Sequence, residues 1–506
     1  MRTACDGDIN LTPNWEAQTL GQVLGRQARE RPSAEALVTP KRRITYEDLY
    51  LRAQSAACTM HSLGVRQGDH VGILMGNDEK WLALFYGAAL IGAVTVPVNT
   101  RFKAAEIDFC LKQADCKALF YVPRFLNIDF RAMVKETGFE RAFDITRPLP
   151  EWDVSGSGPT LKPADTLLIQ FTSGTTAYPK GAMLTHDNML RDAWAAGTRI
   201  GIQADDRYFN CRPFFHVAGS TLSALMALVA GATLVTLPTF EAGAALEMLE
   251  RERCTLISGN DTIFQMLMGH ADFPQRRLCL RGGWAAAGPQ TMRKIIDVLG
   301  AKAICAAYGL SEASPNVVMS DWRDAEELRV NGLARPHDGV ELRIVEGEIQ
   351  VRGWNVMQGY CNNPEASAKA FSEDGWLRTG DLGELTADGR LRMVGRLKDV
   401  FRVGGENVAP AEVEEVLLAH PAVETAQVIG VPDARLGEVP AAYVTLRAGQ
   451  QATPGELLDW CKARCANFRV PRYLKVVRDF ETIGMTASGK VQKAKLREHA
   501  VREFGL

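Results

Sequence analysis

Hydroxyls, glycines and one lysine crowd into a single short stretch of this chain. Residues 171–181 read Phe-Thr-Ser-Gly-Thr-Thr-Ala-Tyr-Pro-Lys-Gly. The run Leu167, Leu168, Ile169 before them predicts a buried strand. Thr185-His-Asp-Asn188 after them predicts a helix start. Backbone amides and hydroxyls of Thr172, Ser173, Gly174, Thr175 and Thr176 can donate to phosphate oxygens, and Lys180 adds charge. The order is not the Walker pattern, in which Gly-Lys leads directly into Ser or Thr. Here the lysine follows Pro179 and closes the loop. A bare Thr-Ser-Gly-Thr describes many surface turns, and Pro179-Lys-Gly181 is what sets this one apart.

A phosphate loop needs a rigid frame. The first 150 residues alternate strand-like and helical segments: a strand at 71–75, a helix at 81–92, a strand at 93–98. A second such stretch runs from about residue 165 to 307, with a strand at 232–237 and a helix at 244–250. Alternation of this kind predicts α/β layers. Residues 339–396 are richer in strands, at 341–345 and 347–352. The last hundred residues form a compact unit. Its first helix starts at Pro410, with proline and acids in the first turn. Strands follow at 426–429, 441–446 and 473–477, and helices at 455–461 and from Val491 onward. The expected fold class is multidomain α/β. A large N-terminal part over residues 1–397 carries α/β layers and a β-rich subdomain, and a small mobile α+β part covers residues 398–506.

The composition excludes several classes. At 506 residues the chain is too long for one ordinary core. A formal net charge of −2 argues against nucleic acid as the main partner. No apolar run is long enough to span a bilayer, and residues 1–8 lack the apolar core of a secretory signal. The 11 cysteines include no Cys-x-x-Cys, and Cys461 and Cys465 have no histidine pair nearby to complete a zinc site. Reduced thiols in a cytoplasmic protein are expected. Lys41-Arg-Arg43 is expected to be a solvated turn.

The phosphate loop resembles the first signature of the adenylate-forming superfamily, which holds acyl-CoA synthetases, luciferases and peptide-synthetase adenylation domains. One departure is Ala177, where the family usually has glycine. Tyr308-Gly-Leu-Ser-Glu312 resembles the second signature, with Ser311 in place of threonine. The resemblance implies that Glu312 and Thr176 ligate magnesium, and that Tyr308, next to Gly309, stacks on adenine. Asp374-Gly-Trp-Leu-Arg-Thr-Gly-Asp-Leu-Gly383 is the strongest match. It implies that Asp381 accepts from both ribose hydroxyls and that Arg396 contacts ribose and phosphate. Residues 347–365 extend the resemblance, mostly as scaffold. Lys490, in Thr486-Ala-Ser-Gly-Lys490, resembles the lysine that bridges carboxylate and α-phosphate, although Ile483-Gly484 replace the usual Leu-Pro. The segment 401–410, with Gly404 and Gly405, resembles the wall of a pantetheine tunnel. Lys398 matches the hinge position. Phe468 and Arg472 match a segment that faces CoA.

Arg212-Pro-Phe-Phe-His-Val-Ala-Gly219 resembles the motif whose histidine lies between acid site and tunnel. The expected acyl wall comprises His216, Val217, Phe264, Ala306 and Ala307, with Trp284 backing the adenine and acid site. Asp261 is expected to cap a helix. The implied activity is an ATP- and Mg2+-dependent acid:CoA ligase that passes through an acyl-adenylate and releases AMP and pyrophosphate. The acid is a medium or long acyl chain, or an aromatic or alicyclic acid. A ligase loading a carrier-protein thiol, an amino-acid activator and a catalytically silent homologue are the alternatives; no carrier domain is expected after Leu506. A homodimer stays open.

Overall fold

The computed structural model describes residues 18–147, 159–172, 179–485 and 491–506. Among these, two large sheets carry most of the N-terminal part. The nine-stranded sheet is built on parallel strands Glu35–Val38, Thr233–Thr236, Arg207–Asn210, Leu256–Asn260, Gly282–Ala286 and Ala303–Gly309, in that spatial order. Antiparallel strands extend both of its edges. The six-stranded sheet centres on parallel strands His70–Leu74, Val94–Pro97, Cys116–Tyr121 and Thr166–Thr172.

Strand alternation explains the layering. Side chains at successive positions point to opposite faces. Leu37, Tyr208, Leu234, Leu256, Trp284 and Cys305 enter one core cluster. Their neighbours Val38, Phe209, Val235, Ile257, Ala285 and Ile304 enter another. The first cluster also takes Val71, Ile73, Ala118 and Phe120 from the six-stranded sheet, so it lies between the two sheets. Leu74, Leu119, Tyr121 and Ile169 face away, into a third cluster. Helix Glu79–Ile91 fills the middle layer because it is apolar on nearly every side. Asp78 caps its start by accepting from Lys80 N, and Gly92 ends it at φ 72°.

The phosphate-loop region differs from the expected strand–loop–helix. Lys180–Thr185 is a strand that pairs antiparallel with Thr166–Thr172. Helix His186–Ile200 starts only after this second strand, capped by Thr185 with Asn188. The expected solvated turn is also more engaged: Arg43 bridges Glu35 and Glu252, and Arg42 pairs with Glu79.

An antiparallel sheet of Val340–Val345, Glu348–Gly353, Leu377–Leu385 and Leu391–Arg396 follows. The short 3₁₀ turn Leu397–Asp399 leads out of it. Beyond that turn a separate core cluster gathers Phe401, Val413, Leu417, Val428, Tyr443, Leu457 and Leu496. The last helix is Lys493–Phe504. It starts two residues later than the sequence suggests, because Val491 forms an antiparallel bridge with Met485 instead.

Candidate active site

Three stretches far apart in sequence meet beyond the C-terminal ends of the parallel strands, where open α/β sheets hold ligands. Strand Ala303–Gly309 delivers Tyr308. Gly309 is obligatory there: a Cβ on it would lie 1.9 Å from the Pro315 carbonyl oxygen. The Tyr308 hydroxyl donates to Asp381 Oδ2 at 2.9 Å. Asp381 is 7% exposed and is cross-strand partner to Arg396. Arg396 Nε lies 3.4 Å from Asp381 Oδ1, and the arginine is largely exposed. Thr379 holds this turn, donating to Ile349 O at 2.7 Å and accepting from Asp381 N at 3.1 Å. Burial, and then the charge of Asp381, push the Tyr308 phenol well above its ordinary range.

A second cluster surrounds Glu312, in the 3₁₀ turn Ser311–Ala313 that also contains Ser311. Glu312 Oε1 accepts from the Tyr360 hydroxyl at 2.9 Å and from Thr172 Oγ1 at 3.4 Å. Lys180 Nζ stands 5.2 Å from the centre of the Tyr360 ring. Tyr360 itself is fixed by a bridge to Ala182 and by Ser367 Oγ, 2.9 Å from its amide nitrogen. Burial first, then Glu312, raise its phenol far above the usual range. Tyr360 lies in a stretch that resemblance marks only as scaffold; nothing in the local pattern Gly359-Tyr360 points to a carboxylate 48 residues away. Among the described residues no three His, Cys, Asp or Glu side chains gather to hold a metal ion unaided. One carboxylate oxygen face with hydroxyls beside it suits magnesium, which keeps several waters and takes its remaining ligands from phosphates.

Ser173, Gly174, Thr175, Thr176 and Ala177 of the loop lie outside the described residues, as does Lys490. The ends of the Lys490 segment are joined by the Met485–Val491 bridge and by Gln492 N donating to Gly484 O at 3.0 Å. Just beyond, Lys493 Nζ binds Glu414 Oε1 at 2.6 Å and the Val428 carbonyl at 3.1 Å.

Gly404 and Gly405 form the two-residue tip of the hairpin Phe401–Val403 and Glu406–Val408, at φ 58° and 97°. Positive φ at both positions is what this tight hairpin turn requires. Both glycines are exposed. The turn Asn467–Arg469, which holds Phe468, lies against the strand Glu406–Val408. Arg469 stacks 5.4 Å over the Phe468 ring and pairs with Glu412, while Arg472 pairs with Asp433 at 3.3 Å. Lys398 lies in the 3₁₀ turn between the two core regions and is exposed.

The expected acyl wall is divided. Val217 and Ala307 border the cluster between the sheets, whereas Phe264 and Ala306 belong to the cluster on the outer face. Adjacent residues of one strand cannot face the same way, so Ala306 and Ala307 never share a pocket. His216 is exposed and starts the short helix Val217–Gly219, its Nδ1 accepting from Ala218 N at 3.1 Å. A π-helical turn, Ser220–Leu225, follows directly; such turns recur at functional sites. Trp284 is 3% exposed on the inner face, and its indole donates to the Tyr208 hydroxyl at 2.9 Å. Asp261 is not the helix cap. Asn260 takes that place by accepting from Ile263 N, and Asp261 accepts instead from Gly288 N at 3.2 Å. Burial raises the Asp261 carboxyl, with hydrogen bonds opposing it. One residue of the His216 segment stands out in space and not in sequence: the Arg212 guanidinium lies 6.0 Å from the centre of the Trp284 ring.

Comparison with known proteins agrees with this arrangement. The profile of the AMP-binding enzyme family matches residues 24–361, and that of the AMP-binding enzyme C-terminal domain matches residues 412–490. The chain is 35% identical to YngI of Bacillus subtilis (strain 168), a protein named as an acyl-CoA synthetase, over 96% of this chain and 98% of the relative. It is 32% identical to the human mitochondrial medium-chain acyl-CoA ligase ACSF2, over 97% of this chain and 89% of the relative. The crystal structure of the anthranilate CoA ligase AuaEII in complex with anthranoyl-AMP superposes with a TM-score of 0.87 at 25% identity, covering 97% of this chain and 99% of that one. The chain belongs to the AMP-binding enzyme family, within the acid:CoA ligase branch of the adenylate-forming superfamily.

Proposed function

We propose that the protein joins a medium- or long-chain, aromatic or alicyclic carboxylic acid to CoA in two half-reactions at one cleft. The observation that carries the reading is the convergence of Tyr308, Asp381 and Arg396 beside Thr172, Glu312 and Lys180. A carboxylate oxygen of the acid attacks the α-phosphorus of ATP, and pyrophosphate leaves. The thiol of CoA then attacks the acyl carbonyl, AMP leaves, and the thiol proton passes to solvent. The acid is already a nucleophile, so positioning and charge stabilisation are what the protein must supply.

In this reading Thr172, Ser173, Gly174, Thr175 and Lys180 bind the phosphates. Tyr308, with Gly309 and Ser311, holds the adenine. Asp381 accepts from the ribose hydroxyls, for which a carboxylate is suited, and Arg396 spans ribose and phosphate. Glu312 and Thr176 would hold Mg2+, which when bound neutralises phosphate charge. Lys490 brings an ammonium point charge to the place where carboxylate and α-phosphate meet. Gly404, Gly405, Phe468 and Arg472 serve CoA. Residues 398–506 rotate about Lys398 between the half-reactions.

Medium-chain or aromatic acids agree with the names of the relatives, ACSF2 and the anthranilate ligase, and with an inner face carrying Val217, Ala307 and Trp284. The test is AMP release over a panel of acetate, octanoate, benzoate, bulkier ring acids and amino acids. CoA-dependent release, greatest for one of the apolar acids, is expected. Release without any need for a thiol, or best with acetate or an amino acid, would overturn the reading.

A further inference from the structure

We infer that the acyl site takes an acid with a second anionic group at the end remote from the reacting carboxylate, and that Arg212 receives it. The inference deepens the ligase reading above and rests on it.

Arg212 comes two residues after strand Arg207–Asn210. In the sheet, Phe209 is level with Ile257, Ile257 with Gly283, and Gly283 with Ile304. Carrying that register three residues on places Arg212 level with Asn260, Ala286 and Ala307. Three strand spacings, about 14 Å, then separate it from the strand that carries Ala307 and Tyr308. Trp284 lies between, on the face that looks into the middle layer. Tyr308 marks the nucleotide end of the cleft in the proposed function, so Arg212 stands on the opposite side of Trp284 from it.

Among the described residues the guanidinium has no anion. Arg212 Nε is shut off from solvent without a hydrogen-bond partner, and among the described residues no carboxylate or carbonyl receives the side chain. The groups that bear on its charge are Cys211 and Tyr208. Burial pushes the thiol of Cys211 far up and the phenol of Tyr208 to about 12, so both stay neutral. The other enclosed arginines are treated differently. Arg390 pairs with Asp324, Arg207 with Glu35 and Glu252, and Arg329 donates to the carbonyls of Asp324, Lys302 and Ile304. Arginine does not escape the cost of burial by losing its proton. A part-buried cation held only over an aromatic ring is costly unless a ligand anion completes it.

The position is also built in advance. Arg212 N donates to Asn210 Oδ1 at 2.9 Å, and its carbonyl accepts from Asn77 Nδ2 at 2.9 Å and from Asn210 Nδ2 at 2.8 Å. Both neighbours are buried. The planar fork of a guanidinium matches a carboxylate in two parallel hydrogen bonds. The substrate class is therefore a dicarboxylic acid with an apolar spacer, aliphatic or aromatic, that crosses Trp284.

The experiment compares matched pairs by pyrophosphate release with the full chain: hexanoate with hexanedioate, octanoate with octanedioate, decanoate with decanedioate, and benzoate with terephthalate. At least one diacid should exceed its monoacid in kcat/KM by about tenfold or more, the scale of a hydrogen-bonded charge. Arg212→Met should collapse that ratio to one or below, and Arg212→Lys should keep part of it. ATP-dependent thermal stabilisation checks that each variant folds; if Arg212→Met fails it, the ratio in Arg212→Lys decides. The inference is overturned if no diacid outperforms its partner, or if the substitution lowers both members of a pair alike. Failure of every acid to release pyrophosphate would instead overturn the ligase reading.

Discussion

The Tyr308 hydroxyl donates to Asp381 across 2.9 Å, and the two residues are 73 positions apart. The bond joins the end of the nine-stranded sheet to the antiparallel sheet that follows it. It also orients the one buried carboxylate proposed to take the ribose. The aspartate keeps lone pairs on both oxygens for further donors. In the proposed function Tyr308 thus acts on the nucleotide through its ring and through Asp381 together.

Removing only the hydroxyl separates these two effects. Tyr308→Phe keeps the aromatic face and releases the carboxylate. A hydrogen bond to a charged group is worth about 1.5–3 kcal/mol, so KM for ATP should rise roughly tenfold, with kcat changed less. Asp381→Ala should lose far more. Initial rates of pyrophosphate release at varied ATP check this. An unchanged KM in Tyr308→Phe would mean that the bond does not position the ribose site.

Tyr360 makes the corresponding bond to Glu312 Oε1. With Thr172 on the same oxygen, the second oxygen of the carboxylate is left to face a cation. Tyr360→Phe should weaken divalent-metal binding by about tenfold. The measurement is the affinity of the protein for Mn2+ in the presence of ATP, read from the Mn2+ resonance and not from turnover. The acid KM should stay within about twofold, because the polar partners of Tyr360 are Glu312 and Ser367, outside the expected acyl wall. Equal loss of metal and acid affinity would reassign Tyr360 to general packing.

Long elements and contiguous signatures were legible in the sequence. Helix Glu79–Ile91 and the strands around it follow from apolar runs, and Tyr308, Asp381 and Arg396 follow from stretches whose residue order is itself distinctive. What escaped was set by geometry across chains of contacts. The expected acyl wall includes two neighbours in sequence, Ala306 and Ala307, yet strand alternation sends them to opposite layers. Asp261 and Asn260 are equally good caps by type, and only the backbone decides between them. Arg212 looks like an ordinary surface cation in a loop; that no described carboxylate pairs with it appears only in the folded structure.

The two half-reactions give opposite expectations at two lysines. In the proposed function the ammonium of Lys490 is needed only while carboxylate and phosphate meet. Lys490→Ala should therefore lose acyl-adenylate formation by several hundredfold, the scale of a removed transition-state donor, and retain thioester formation from supplied acyl-adenylate. Lys398 stands in a short turn between two separate cores. Lys398→Pro fixes φ there, and should slow the thioester step by about tenfold or more while sparing adenylation. Single-turnover assays of each half-reaction decide the matter. The same profile in both variants would remove the division of labour.

Acid stability should reflect two buried histidines. His186 accepts from Leu20 N at Nδ1, and burial lowers it to about 4. His337 meets the side-chain oxygen of Asn316 at 2.6 Å, and burial followed by Arg199 lowers it to about 3. An unfolded histidine titrates near 6.5. Between that value and the folded values the unfolded chain binds more protons than the native one, so stability falls as pH falls. The contribution is complete above about pH 7 and amounts to roughly 2 kcal/mol lost per histidine by pH 5. Paired carboxylates such as Glu252, held below their ordinary range by Arg43 and Arg207 against the effect of burial, stay ionised over this interval. Urea unfolding at pH 7.5, 6.5, 5.5 and 5.0 reads the slope. His337→Gln keeps a polar side chain facing Asn316 but cannot titrate, so it should be less stable at pH 7.5 and should lose roughly 2 kcal/mol less than the wild type between pH 7.5 and 5.0. A slope unchanged by that substitution would show that His337 takes up its proton without unfolding.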